Sequence, residues 1–239
     1  MDAIEGTVIV SGASSGIGLA TSHLLVQAGY PVIGLGRDFA KCDLDHPLFR
    51  KETLDLSDPD ELGEQFVRIL SSVDGEVRGL VNNAGIGKMG HLEQLSRQDI
   101  SSVFNLNTLS PVLLTRTLLP RLKSQSRNSD IVFIGSEAAL RGAQQGSVYC
   151  ASKFAIRGFS QALREECASS PVRVALINPG AVRTPFFDSL QFEPGADEDN
   201  AIEPGDVARL VLDILQMRPG TVIDEINMSP RKKVWQRKS

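Results

Sequence analysis

An α/β fold, built on one parallel sheet with helices on both faces, is what this sequence predicts, and three observations carry the prediction. Short runs rich in Val and Ile alternate from end to end with longer helical patterns, as βαβ units do. The helical stretches repeat apolar residues at a spacing near 3.6, so each has one face suited to a core. The chain has 239 residues, a length at which α/β folds commonly remain one unit.

The first strand is expected at 7–12 (TVIVSG), running into the glycine-rich SGASSGIG at 11–18. The helix opened there carries Ile17, Ala20, Leu24 and Ala28 as its expected core stripe. Further strands are expected at 31–36 (PVIGLG), 51–56 (KETLDL), 77–85 (VRGLVNNAG), 130–136 (DIVFIGS), 172–180 (VRVALINPG) and 221–228 (TVIDEINM). Seven strands with intervening helices make one open parallel sheet covered on both faces. In the last helix Val207, Leu210, Val211, Ile214 and Leu215 form the stripe, and Pro204 suits its first turn.

One insert interrupts this plan, at 183–205 (RTPFFDSLQFEPGADEDNAIEPG). A connection longer than about 15 residues is unusual unless it is functional. Exposed-looking Phe186, Phe187 and Phe192, with the acidic tip ADEDN, suit a lid that closes an apolar pocket under a solvated outer face. The alternative is a plain surface loop.

With 41% hydrophobic residues, 23% charged residues and a net charge of −4, the chain reads as soluble and globular, with no electrostatic case for nucleic acid. Small molecules are the default ligands. MDAIEG has no basic n-region and TVIVSG is too short for a signal or a membrane span, so no membrane association and a cytoplasmic location are expected. Cys42, Cys150 and Cys167 are odd in number, without C-x-x-C spacing or a nearby histidine. Reduced structural thiols and no metal site are expected.

Gly12-Ala13-Ser14-Ser15-Gly16 also fits G-x-S-x-G, the turn that exposes a nucleophilic serine in α/β-hydrolases. Topology argues against that chemistry. Only one strand precedes Ser14, and the histidines are His23, His46 and His91, so none can supply the late base. Gly12, Gly16 and Gly18 instead sit between the first strand and the first helix, where backbone N–H groups can cradle a phosphate. Tyr149-Cys150-Ala151-Ser152-Lys153 then puts a phenol and an ammonium on one helix face. The strand before that helix ends in Ser136, and ligands of parallel sheets gather at the carboxyl ends of strands.

Together SGASSGIG, NNAG (82–85), Asn107 in NLNTLSP, Ser136 in IGSEAA, YCASK (149–153) and NPGAVRT (178–184) resemble the short-chain dehydrogenase/reductase family, from about Gly6 to Met228. The resemblance implies a single Rossmann-like, doubly wound domain with a seven-stranded parallel sheet, assembled as a homodimer or homotetramer. It implies hydride transfer between nicotinamide and a small-molecule carbonyl or secondary alcohol. Tyr149 would be the acid/base, and Lys153 would favour its phenolate and hold the nicotinamide ribose. Ser136 would hydrogen-bond the substrate oxygen, and Asn107 would organise a water-linked proton path. Gly135 stands where many relatives have a second serine, a change expected to matter little.

The cofactor would lie against Gly12, Ser14, Ser15, Gly16, Ile17 and Gly18, with Asn83, Ala84 and Gly85 beneath it and Asn82 bracing the sheet. By the same resemblance Asp55 and Leu56 border the adenine, while Pro179, Gly180, Val182 and Thr184 orient the carboxamide. Gly36 occupies the end of the second strand, where enzymes that use NAD place an acid for the ribose 2′-hydroxyl. Arg37 follows, and its fork of donors suits a 2′-phosphate, so NADP(H) is expected over NAD(H), with Asp38 either pairing with Arg37 or opposing the phosphate. A non-catalytic NADP(H)-binding redox sensor or regulatory subunit is the alternative function. At the chain's end the basic tail 229–239 (SPRKKVWQRKS) carries the only tryptophan, Trp235. It is read either as a solvated end or as an anchor against a neighbouring subunit.

Overall fold

The computed structural model describes residues 6–238; the opening residues 1–5, on which the expectation of no leader partly rests, and Ser239 lie outside them. Seven parallel strands form the main sheet: β1 (Thr7–Ser11), β2 (Val32–Gly36), β3 (Phe49–Thr53), β4 (Val77–Asn82), β5 (Ser129–Ile134), β6 (Val172–Pro179) and β8 (Glu225–Met228). Their order is β3-β2-β1-β4-β5-β6-β8, the doubly wound, Rossmann-like arrangement. The strand order reverses between β1 and β4, which opens a crevice at their carboxyl ends.

Alternation along the central strands explains the layers. Ile9, Leu80, Ile131 and Phe133 point to one face and are completely buried there. They meet Phe66 of α2 (Pro59–Ser71), Leu114 and Leu118 of α4 (Ser110–Ser124), and Ile156 of α5 (Ser147–Cys167). Val8, Val10, Val81 and Val132 point the other way, onto Leu25 of α1 (Gly16–Gln27) and Val207 and Val211 of α6 (Pro204–Gln216). Burial on both faces makes these strands continuously apolar. Among the described residues no helix is long and apolar enough to cross a membrane.

Away from the crevice the sheet is bolted by charge. Asp130 on β5, 1% exposed, accepts two hydrogen bonds of 2.8 Å from Arg173 of β6 and another from Arg78 of β4. Both guanidinium groups also donate to carbonyls at the end of α6, including Ile214 and Met217 for Arg173 and Leu215 for Arg78. A helix C-terminus favours such cations.

Several sequence expectations shift. The third strand is 49–53 rather than 51–56, because buried Leu54 and Leu56 belong to the turn after an edge strand whose own residues, Arg50 to Glu52, are polar. The last sheet strand is four residues rather than eight, pairing with β6 only from Glu225. The core stripe of α1 is Gly18, Thr21, Ser22, Leu25 and Val26. Ile17, Ala20, Leu24 and Ala28 are only partly buried, because the turn that presses Gly18 against Gly12 fixes the helix's rotation.

The tail is not a loose end, although residues 231–237 remain exposed, Trp235 at 48%. It returns as β9 (Trp235–Arg237) and pairs antiparallel with β7 (Phe192–Pro194) inside the insert. That insert also contains 3-10 turns at Pro185–Phe187 and Glu198–Asn200, and it is pinned at its base by a bridge between Val182 and Ile202. Its aromatics are not exposed: Phe187 is buried, Phe186 and Phe192 are partly so, and Trp235 packs on Phe187 and Phe192.

Candidate active site

The crevice at the carboxyl ends of the strands opens into a cleft of about 820 Å³. One end begins at the glycine turn. Gly12 and Gly16 have φ of 68° and 54°, a left-handed conformation that glycine adopts without the steric penalty of a Cβ. Asn83 holds the turn from β4, donating to the carbonyls of Ser11 at 3.0 Å and Gly12 at 3.3 Å, while Ser11 Oγ accepts from the amides of Asn83 and Ala84. Asn82 braces β4 to α4 through Thr115.

α1 starts from Ser15 without a side-chain cap and with no acidic residue in its first turn. Its first N–H groups are therefore suited to an anionic phosphate, and this donor set fits a dinucleotide. Thr184 packs its methyl beside Gly16, next to Val182.

At the end of β2, Arg37 and Asp38 line the cleft with Asp55 and Leu56. Hydrogen bonds from Ser57 hold the Asp55 carboxyl below its usual range, against some burial, and the nearby Arg37 charge adds to the effect. Asp38 turns to its own loop and accepts the Ala40 amide at 2.7 Å. Among the described residues it forms no ion pair with Arg37.

The other half of the cleft brings Ser136, Tyr149 and Lys153 together. Tyr149 is 9% and Lys153 6% exposed. Burial pushes the Tyr149 phenol up to about 12, only partly offset by a hydrogen bond with Ser136. Burial also brings the Lys153 ammonium down to about 8. Desolvation is the largest influence on the phenol here, and the Glu137 charge acts in the same direction. Lys153 Nζ lies 5.9 Å from the Tyr149 ring centre and donates to the Ile134 carbonyl at 3.0 Å.

Asn107 sits behind Lys153 in a π-helical turn, Asn105–Leu109, between α3 (Arg97–Phe104) and α4. Its side chain accepts from the Ile86 amide and donates to the Ile86 carbonyl, both at 2.9 Å. A methyl on Gly85 would meet Asn107 Oδ1 at 3.2 Å and Lys153 Nζ at 3.7 Å, so the three are close neighbours. Single π turns of this kind often occur at functional sites. Of the site residues expected from sequence, only Gly18 and Asn107 do not line the cleft. Gly18 backs onto the Gly12 carbonyl, and Asn107 is turned toward Ile86.

Asn178, on β6 and fully buried, was not singled out by sequence. It accepts the Ser136 amide at 3.3 Å and is itself held by Glu225 at 2.8 Å and Asn227 at 3.0 Å. A polar residue closing the apolar run VRVALI was the available signal. Gly135 consequently matters more than expected, because a Cβ there would overlap Asn178 Oδ1. Gly135→Ala is expected to destabilise the protein by about 1–3 kcal/mol through overpacking. An unchanged denaturation midpoint would show that Asn178 yields.

The lip of the cleft was also missed. Gln145 has φ of 60°, held by the Gly90 amide on its carbonyl and by His91 on its side chain. Across from it, Pro179 and Gly180 end β6, and Phe186 stands 5.8 Å from the Tyr149 ring. Trp235 and Arg237 of the returning tail complete the wall.

Residues 6–194 match the family described as short chain dehydrogenase. Retinol dehydrogenase 8 of Homo sapiens is 34% identical over 220 residues, covering 85% of this chain and 68% of that protein. Sepiapterin reductase of Chlorobaculum tepidum is 30% identical over 239 residues, covering 93% and 95%. Among solved structures, the alcohol dehydrogenase of Thermococcus sibiricus complexed with 5-hydroxy-NADP superposes with a TM-score of 0.84 at 25% identity, covering 98% of this chain and 99% of that one.

Proposed function

Because the chain belongs to the short chain dehydrogenase family of oxidoreductases, we propose that it is an NADP(H)-dependent enzyme that interconverts a small-molecule carbonyl and its secondary alcohol. The observation that carries this reading is one continuous cleft, with the glycine turn at one end and Ser136, Tyr149 and Lys153 at the other.

A bound nicotinamide dinucleotide supplies the hydride in reduction and accepts it in oxidation. The chain's own groups manage the oxygen. Ser136 orients the substrate carbonyl beside Tyr149, and as the carbonyl carbon becomes tetrahedral, Tyr149 gives its phenolic proton to the oxygen, leaving an alcohol. A phenol near 12 retains its proton at neutral pH, which suits a general acid. Lys153, still mostly protonated there, stabilises the phenolate left behind and holds the nicotinamide ribose. Asn107 positions the segment through which the proton is replaced, with Gly85 giving the necessary room. In oxidation the same steps run backward. Steady consumption of NADPH with a panel of diketones, 3-oxo acids and hydroxysteroids tests the reading, and a non-catalytic sensor would bind NADPH without consuming it.

The cofactor preference rests on Arg37, free of Asp38 and facing the cleft. Arg37→Ala is expected to weaken NADPH binding by about 1.5–3 kcal/mol, the range for a hydrogen bond to a charged group, while leaving NADH nearly unchanged. Equal losses for both cofactors would reject the assignment. Exposed Phe104, Leu109 and Phe154 on the neighbouring α3, π turn and α5 support assembly as a homodimer or homotetramer, which solution mass measures directly.

A further inference from the structure

The tail ribbon has two unlike faces. Antiparallel pairing sets Phe192 opposite Arg237 and Pro194 opposite Trp235, with Glu193 opposite Gln236 between them. Side chains alternate along a strand, so Phe192, Trp235 and Arg237 share one face, and all three line the cleft. Glu193 and Gln236 share the other, where they hydrogen-bond at 2.9 Å. The tail therefore presents an aromatic ring and a guanidinium to the cleft.

The interior of this half-cleft is apolar. Rings run in contact from Tyr149 to Phe186 (5.8 Å), on to Phe187 (5.3 Å) and then to Trp235 (5.9 Å). Arg237 thus lies at the far end of an apolar wall that starts at the acid/base hydroxyl. Glu137, on the lining of the same cleft, is paired with Lys233 and, at 3.8 Å, with Arg141. Glu193 faces away, toward Gln236 and Lys238. Arg237 makes no ion pair or hydrogen bond among the described residues. A cation left unmatched on a cleft wall, beside a half-exposed tryptophan, is a receptor for a negative group.

We propose that Trp235 and Arg237 form the distal end of the substrate site, and that the preferred substrate is an elongated apolar carbonyl compound ending in a carboxylate, its oxo group at Tyr149 and its carboxylate on Arg237. This rests on the reading of the cleft as a carbonyl-reducing site. The single tryptophan of the chain supplies a readout that needs no turnover.

The probes are ω-oxo-ω-phenylalkanoates of increasing chain length and their methyl esters, used with the full-length protein. Binding is followed by Trp235 emission in the presence of NADP+, and turnover by NADPH consumption. The acid of best length is expected to bind about 10- to 100-fold tighter than its ester, the fold equivalent of one charged hydrogen bond. Arg237→Gln should abolish that ratio, and Arg237→Lys should keep part of it. Acid and ester binding alike in the unaltered protein, or an acid preference that survives Arg237→Gln, overturns the proposal. A lowered melting temperature with an unchanged ratio also overturns it, since the tail would then be only a brace. If the acid binds through Arg237 but neither compound is reduced, the distal site stands and the catalytic reading fails.

Discussion

Tyr149→Phe is expected to lower turnover by about 10²- to 10⁴-fold, the usual contribution of a positioned general acid, while NADPH affinity stays within a few-fold. The substitution removes one oxygen and leaves the ring. Tyr149 is 9% exposed and packs against Phe186, a contact that phenylalanine reproduces. Only the hydrogen bond with Ser136 and the transferable proton are lost. Titration of NADPH, alongside kcat and KM for one turned-over carbonyl compound, separates binding from chemistry. A variant that keeps most of its kcat would remove Tyr149 from the mechanism and move the search for the proton donor to Ser136 or a water.

Asp130→Ala is expected to cost about 3–5 kcal/mol of stability, the range for removing one partner of a buried ion pair. Two guanidinium groups, Arg173 at 7% and Arg78 at 16% side-chain exposure, would lose their shared carboxylate and remain in place through their bonds to α6. Most of the cost is the charge left uncompensated, so an apolar replacement of all three would be far milder. Urea unfolding with an unchanged slope measures it. A loss under about 1 kcal/mol would mean that water reaches the guanidiniums and that the bolt is weaker than its geometry indicates.

The sequence shows the centre of this molecule more clearly than its margins, for a physical reason. β1, β4, β5 and β6 are covered by helices on both sides, so their composition is dictated along nearly their whole length and the runs stand out. The edge strand β3 is polar, and its boundaries were misplaced toward the buried leucines that follow it. β7 and β9 are three residues each, one with a proline and the other mostly charged or polar, too short for any period. Their pairing spans most of the distance from the insert to the chain's end, and nothing local announces it. The glycine turn and the Tyr149 to Lys153 spacing were legible because their chemistry demands particular residue types. Asn178 was not, because its partner is a backbone amide that any residue at 136 would supply. Charged residues inside apolar strands, Asp130 and Arg173, carried a usable sign of the buried bolt. The rotation of α1 was set by a glycine contact that periodicity does not register.

The ribbon of β7 and β9 also imposes an order on synthesis. The glycine turn, Ser136, Tyr149 and Lys153 all emerge from the ribosome well before residue 235, and domains form from the N-terminus as the chain is made. One wall of the cleft, however, is closed only once residues 235–237 have left the tunnel. A nascent chain can hold the phosphate turn and the phenol in place, yet its pocket stays open on the side of Phe192 until β9 emerges and folds back onto β7. Completion of the pocket is thereby tied to the emergence of β9.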